Sequence, residues 1–165
     1  MAKRKGTIGI VGGGAEVSAE TYDLAFEVGK HVANNGAILV CGGLGGVMEA
    51  AAKGASESGG VVVGFLPGEV STEANPYVTV AVPTGMGIGR NVLVVRTSDV
   101  LIAFPGSYGT LSEIGLALNL GKTVINFPGG WDIRRIGRVD ASLFKEAIDP
   151  RQAVGVALDA LSRLR

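Results

Sequence analysis

The chain has 165 residues, of which 27 are glycine and 18% are charged, and Lys plus Arg match Asp plus Glu at 15 each. That balance supplies no basic field to hold a nucleic-acid backbone, and no stretch reaches the roughly 18 apolar residues that span a bilayer. Cys41 is the only cysteine, which excludes an internal disulfide and a multi-cysteine metal site and gives a cytoplasmic protein as the expectation.

The basic opening Met1-Ala2-Lys3-Arg4-Lys5 is followed by apolar residues that stop at Gly12-Gly13-Gly14, so residues 1–6 read as a flexible tail, not a signal peptide. Short β-branched runs then alternate with longer helical patterns, and each run ends in glycines, the pattern of a parallel sheet with crossover helices. Thr7 to Val11 predicts the first strand. Ser18 caps a helix that runs to Asn34 and stops at Gly36. Ala37 to Cys41 is the second strand, Val47 to Ser58 the second helix and Val61 to Phe65 the third strand. Leu66 to Pro76 reads as a surface loop before a fourth strand at Val78 to Val82. Gly85 to Ser98 holds a glycine-rich turn and a helix, and Asp99 to Phe104, apolar from Val100 onward, predicts a central strand. A turn at Pro105 to Gly109 opens a helix through Leu120, followed by a strand at Thr123 to Phe127. Gly129 to Val139 has no period and reads as a loop. Leu143 to Ile148 is one more strand, and Asp149-Pro150-Arg151-Gln152 starts the last helix. The chain, residues 1–165, is therefore expected to be one α/β domain, doubly wound and Rossmann-like, with a mostly parallel sheet of six to seven strands and helices on both faces.

In such a sheet, ligands bind beyond the carboxyl ends of the strands, where helix N-termini offer free amides to an anion. Three glycine clusters fall there: Gly12 to Gly14, Gly42 to Gly46, and Gly106 to Thr110. Each cluster alone also suits a tight turn; their repetition points to phosphate binding. A dinucleotide is excluded, because Gly12-Gly13-Gly14-Ala15-Glu16-Val17 lacks the third fingerprint glycine and no acid closes the second strand. A Walker loop is absent as well. In Pro105-Gly106-Ser107-Tyr108-Gly109-Thr110-Leu111-Ser112-Glu113, small residues leave amides open, Thr110 adds a hydroxyl, and Glu113 lies one turn inward. Glu113 is either a carboxylate at the site or a helix-dipole partner, and spacing leaves both open.

The run Pro105 to Glu113 resembles the P-G-G-x-G-T-x-x-E signature of the Lonely Guy family, long mislabelled as lysine decarboxylases. Gly87-Ile88-Gly89-Arg90-Asn91 stands where that family carries the Arg of its site, and Gly42-Gly43-Leu44-Gly45-Gly46-Val47-Met48 resembles its G-G-G-x-x-G-x-M phosphate loop. The Gly-Arg-Asn variant, the short chain and the Asp149-Pro150 helix are more similar to the branch that includes the molybdenum cofactor carrier proteins. Two departures stand out: the family's usual Arg-Lys is here Arg90-Asn91, and its second motif glycine is Ser107. The resemblance implies catalytic roles for Glu113 and Arg90. It implies phosphate or nucleotide contacts for Gly12, Gly13, Gly42, Gly43, Gly45, Gly46, Met48, Asn91, Pro105, Gly106, Ser107, Tyr108, Gly109 and Thr110.

Two functions follow from the resemblance. One is N-glycosidic hydrolysis of a nucleoside 5′-monophosphate to base and ribose 5-phosphate, in which Glu113 stabilises an oxocarbenium-like ribose and positions water while Arg90 pairs with the nucleotide or steers Glu113. The other is a non-catalytic carrier of a phosphorylated pterin, the molybdenum cofactor, or of a nucleotide, in which the neutral Asn91 amide recognises a heterocycle edge. Neither requires a cofactor; a bound nucleotide, phosphate or molybdopterin-type ligand is the expected small phosphorylated partner. Pyridoxal-dependent lysine decarboxylation is rejected, because none of the six lysines sits in a Schiff-base setting. No metal site is expected: the one histidine, His31, reads as solvated helix surface beside Glu27. Trp131, Arg134, Arg135 and Arg138 fit a lid, a subunit contact or a solvated loop. The run Val92-Leu93-Val94-Val95, on a helix expected over Met86 to Ser98, predicts burial on more than one side, hence a homodimer or homotetramer.

Overall fold

The computed structural model describes residues 6–164, so residues 1–5 of the tail expected at 1–6 lie outside the described residues, and Gly6 does not belong to a free tail. Gly6 is buried, and its carbonyl accepts from the Ile38 amide at 2.9 Å. Apolar alternation builds β1 (Thr7–Val11) at the centre of the sheet: Ile8 and Ile10 enter one core and Val11 the other. The chain continues as α1 (Ala19–Asn34), β2 (Ile38–Cys41), α2 (Val47–Glu57), β3 (Val62–Leu66) and β4 (Val80–Pro83). It then crosses over through α3 (Asn91–Thr97) to β5 (Val100–Ala103), α4 (Tyr108–Asn119), β6 (Val124–Asn126), β7 (Phe144–Glu146) and α5 (Pro150–Arg163).

All seven strands are parallel, in the order β4-β3-β2-β1-β5-β6-β7. The chain winds outward in both directions from β1 and β5, which pair from Ile8↔Val100 to Val11↔Ala103. Helices α1, α2 and α5 cover one face with Val28, Ala51 and Val154, and α3 and α4 cover the other with Val94, Val95 and Ile114. The helices α1 and α2 touch backbone to backbone, since a Cβ on Gly29 would run into Ala51 O and one on Gly54 into Phe26 O. This is the expected doubly wound fold, in which the reversal of strand order between β1 and β5 opens a crevice at their carboxyl ends.

Caps match the sequence at both ends. The Ser18 side chain accepts from the Thr21 amide and Asp149 from the Gln152 amide, the latter ahead of Pro150 in the first turn. One expected element needs correction: Met86 to Ser98 is not a single helix. A 3₁₀ turn at Gly87–Arg90 precedes a seven-residue α3, because Gly85 and Gly87 hold φ of +63° and +56°, outside helical space. The loop expected at Gly129 to Val139 carries a 3₁₀ turn at Ile133–Arg135. Among the described residues no helix is long and apolar enough to cross a membrane.

Candidate functional site

The crevice is built where two loops meet. The Gly13 amide donates to Pro105 O at 2.9 Å, joining the turn after β1 to the turn after β5, and the Val47 amide donates to Gly13 O at 2.9 Å, joining both to α2. The Phe104 and Phe127 rings, buried in the core just past the ends of β5 and β6, stack with centroids 4.6 Å apart.

A polar pocket of about 90 Å³ lies in the crevice, room for roughly three waters or a group of phosphate size. Gly12, Gly42, Met48, Arg90, Asn91, Ser107, Gly109, Thr110 and Glu113 line it, together with Ile10 and Val11. Residues three apart share a helix face, so the side of α4 that meets the sheet carries Thr110 and Glu113 inward, and both are buried. Among the described residues no hydrogen bond or ion pair engages the Glu113 carboxyl. Burial pushes its pKa from 4.5 up to about 8, against the opposing pull of the Arg90 guanidinium. At neutral pH it is therefore mostly a neutral acid.

Arg90 closes the 3₁₀ turn, and its guanidinium is committed to the walls. Nε donates to Phe65 O at 2.8 Å, Nη1 donates to Asn91 Oδ1, and Nη2 lies 3.5 Å from Gly42 O. Burial lowers its pKa, with Glu113 and Cys41 pulling the other way. Because Asn91 Oδ1 is taken by Arg90, the amide nitrogen is the free end; a Cβ on Gly109 would come within 3.6 Å of it. Gly42 keeps this wall thin: a Cβ there would meet Arg90 Nη2 and Met48 Sδ at 2.7 Å. Cys41, fully buried behind the wall, has a thiol pushed up to about 11 by desolvation and is chemically quiet.

A wider cleft of about 650 Å³ adjoins the pocket, with Ser107 common to both. Gly13, Gly14, Pro105 and Gly106 line it, all from the glycine clusters singled out in the sequence, and so do residues 15–18, Thr21, Pro128 and Gly129, which sequence reasoning missed. Pro128 and Gly129 carry no motif; only their place after β6 could have flagged them. The cleft's one charged lining residue is Glu16. Gly43, Gly45, Gly46 and Tyr108 line neither space. Gly46 instead lets α2 approach the β1 turn, and Tyr108 is exposed with its ring 5.7 Å from that of Trp131.

A parallel, doubly wound sheet with glycine turns and a polar pocket at its topological switch point defines a Rossmann-like α/β protein. The chain belongs to the SLOG cluster4 family, whose pattern it matches over residues 5–157. It is similar along nearly its whole length to the molybdenum cofactor binding protein of the phototrophic bacterium Rippkaea orientalis. That structure has a TM-score of 0.88 and 31% identity, covering 97% of this chain and 99% of that one. The molybdenum cofactor carrier protein of Chlamydomonas reinhardtii superposes with a TM-score of 0.86 at 34% identity, over 96% of this chain and 99% of that one. The cytokinin riboside 5′-monophosphate phosphoribohydrolase LOG of rice, Oryza sativa subsp. japonica, is 33% identical over 100 residues, 58% of this chain. That match spans 41% of the rice protein's length.

Proposed function

We propose that the protein binds a phosphorylated heterocycle of the pterin or nucleotide kind in this crevice and acts as its carrier. The observation that carries this reading is the unpartnered, buried, neutral carboxyl of Glu113 beside a guanidinium already committed to the walls. A neutral acid donates a hydrogen bond to an anionic oxygen, where a carboxylate would repel it. The small pocket takes the phosphate end, with Thr110 and the free amides at the start of α4 as donors, and the Asn91 amide offers a further donor. The adjoining cleft takes the ring. The molybdenum cofactor proteins of Rippkaea and Chlamydomonas, alike in length and fold, support a cargo of this type, and the single buried cysteine is in keeping with work in the cytoplasm.

Phosphoribohydrolase activity is the second reading, favoured by the meeting of Glu113, Arg90 and Thr110 in one pocket. In it, the water oxygen bonds to C1′ as the C1′–N bond breaks; one water proton stays on the sugar hydroxyl and the other leaves on the base. A Glu113 carboxyl that titrates near 8 would pass that proton to the departing nitrogen. Incubation with AMP separates the readings. A carrier binds the nucleotide and releases no adenine, whereas adenine release that disappears in Glu113→Gln would overturn the carrier reading.

We also propose a homodimer or homotetramer. Met86, Ile88 and Val92 are 50%, 75% and 45% exposed along one short stretch before and in α3, a patch that a second copy would cover. Light scattering is expected to give a mass at least twice 16.8 kDa; a monomer mass would sink the proposal.

A further inference from the structure

We infer that Trp131 is a positioning residue for the phosphate end of the ligand, holding the peptides at the start of α4 so that their amides face the crevice. The inference rests on the phosphorylated-ligand reading above. Trp131 lies in the loop after β6, outside the Pro105 to Glu113 motif. Its indole Nε1–H donates to Gly106 O and to Ser107 O, each at 3.1 Å. In a planar trans peptide the carbonyl and the following N–H point in opposite directions. Pinning those two carbonyls to the indole therefore turns the Ser107 and Tyr108 amides away from Trp131, and Ser107 borders both pocket and cleft.

These amides belong to the four that a helix leaves without internal acceptors. The Ser107 side chain makes no capping bond at this helix end, and the orientation of these amides is set by what grips the carbonyls. The Leu111 amide takes Ser107 O at 3.1 Å from the helix side, and Trp131 grips both carbonyls from outside. The indole is itself held in place. Its ring leans on Tyr108, Ile133 is buried two residues on, and Arg134 ties the loop to Asp132 at 2.8 Å and to Glu146 at 2.6 Å. The bent segment before it fits closely, since the Gly130 amide reaches Phe127 O at 3.4 Å and a Cβ on Gly130 would come within 3.1 Å of the buried, unpaired Asn126 Oδ1. The loop thus works as a brace on the anion end of the site.

The test uses Trp131→Phe, which keeps an aromatic ring against Tyr108 and removes the N–H donor. Calorimetric titration of the full chain with ribose 5-phosphate is expected to give a Kd about tenfold weaker in the variant, the scale of one or two lost hydrogen bonds. Adenosine, which has no phosphate, is expected to bind both proteins alike, a selectivity that a merely structural role for Trp131 would not produce. Equal ribose 5-phosphate affinity in the two proteins, or equal losses for adenosine and AMP, would overturn the inference while leaving the ligand reading intact. A wild-type protein that binds adenosine and not ribose 5-phosphate would overturn both.

Discussion

Glu113→Gln is expected to make the protein more stable at pH 8, by on the order of 3 to 5 kcal/mol, and to remove most of the change in stability between pH 4.5 and 8. An unfolded glutamate loses its proton near 4.5, while the folded site keeps it to about 8. Between those values the folded state binds more protons than the unfolded one, so stability falls as pH rises, by about 1.4 kcal/mol per unit. The contribution is fully present below 4.5 and lost by about 8, above which the curve levels. A glutamine has no proton to lose there, and among the described residues it gives up no hydrogen bond. Urea midpoints at pH 5, 7 and 9 read the effect, and a variant less stable than the wild type at pH 8 would contradict it. A carboxyl that costs stability in a 90 Å³ pocket is the mark of a functional group, since a structural role is better served by the amide.

The second large effect is expected at Gly46→Ala, which should lose about 3 kcal/mol or more of stability and the crevice with it. Gly46 has φ +62°, in the region a Cβ disfavours, and its Cβ would run into Gly13 O and come within 2.9 Å of Ala15 O. Both obstacles are backbone, so relief requires the α2 turn and the β1 turn to part, which breaks the Val47 to Gly13 hydrogen bond. Gly59→Ala is the control: its φ is +74°, but a Cβ there meets nothing within 4 Å, so it suffers only the backbone strain, about 1 to 2 kcal/mol. Chemical denaturation of both variants separates strain from close approach. Equal losses would show that Gly46 is only a turn residue.

That contrast also marks how far the sequence could be read. Alternating apolar residues and caps gave β1, α1 and α5 nearly to the residue, because those signals are local. The Met86 to Ser98 helix failed because its valines carry a helical pattern while Gly85 and Gly87 adopt left-handed backbone, which composition does not record. At the site, Thr110, Glu113 and Arg90 were legible from motif and helix position. The roles of the glycines were not: Gly12 and Gly42 line the pocket, whereas Gly46 serves a contact with Gly13 some thirty residues earlier in the chain. Trp131 was legible only as a loop aromatic, since nothing near it in sequence announces that its N–H reaches Gly106 and Ser107.

On the proposed reading this crevice binds a phosphorylated ligand beside a protonated Glu113. Cys41, in the wall beside Arg90, titrates only near 11, above the range of the test. A phosphate monoester is already a dianion above pH 7, its second pKa lying near 6. Calorimetric titration with ribose 5-phosphate at about pH 7 and about pH 9.5 reads the protonation of Glu113 through ligand affinity. Affinity is expected to be at least about tenfold weaker at the higher pH in the wild type and to change little in Glu113→Gln. Wild-type affinity that is the same at both pH values, or no binding at either, would contradict that reading.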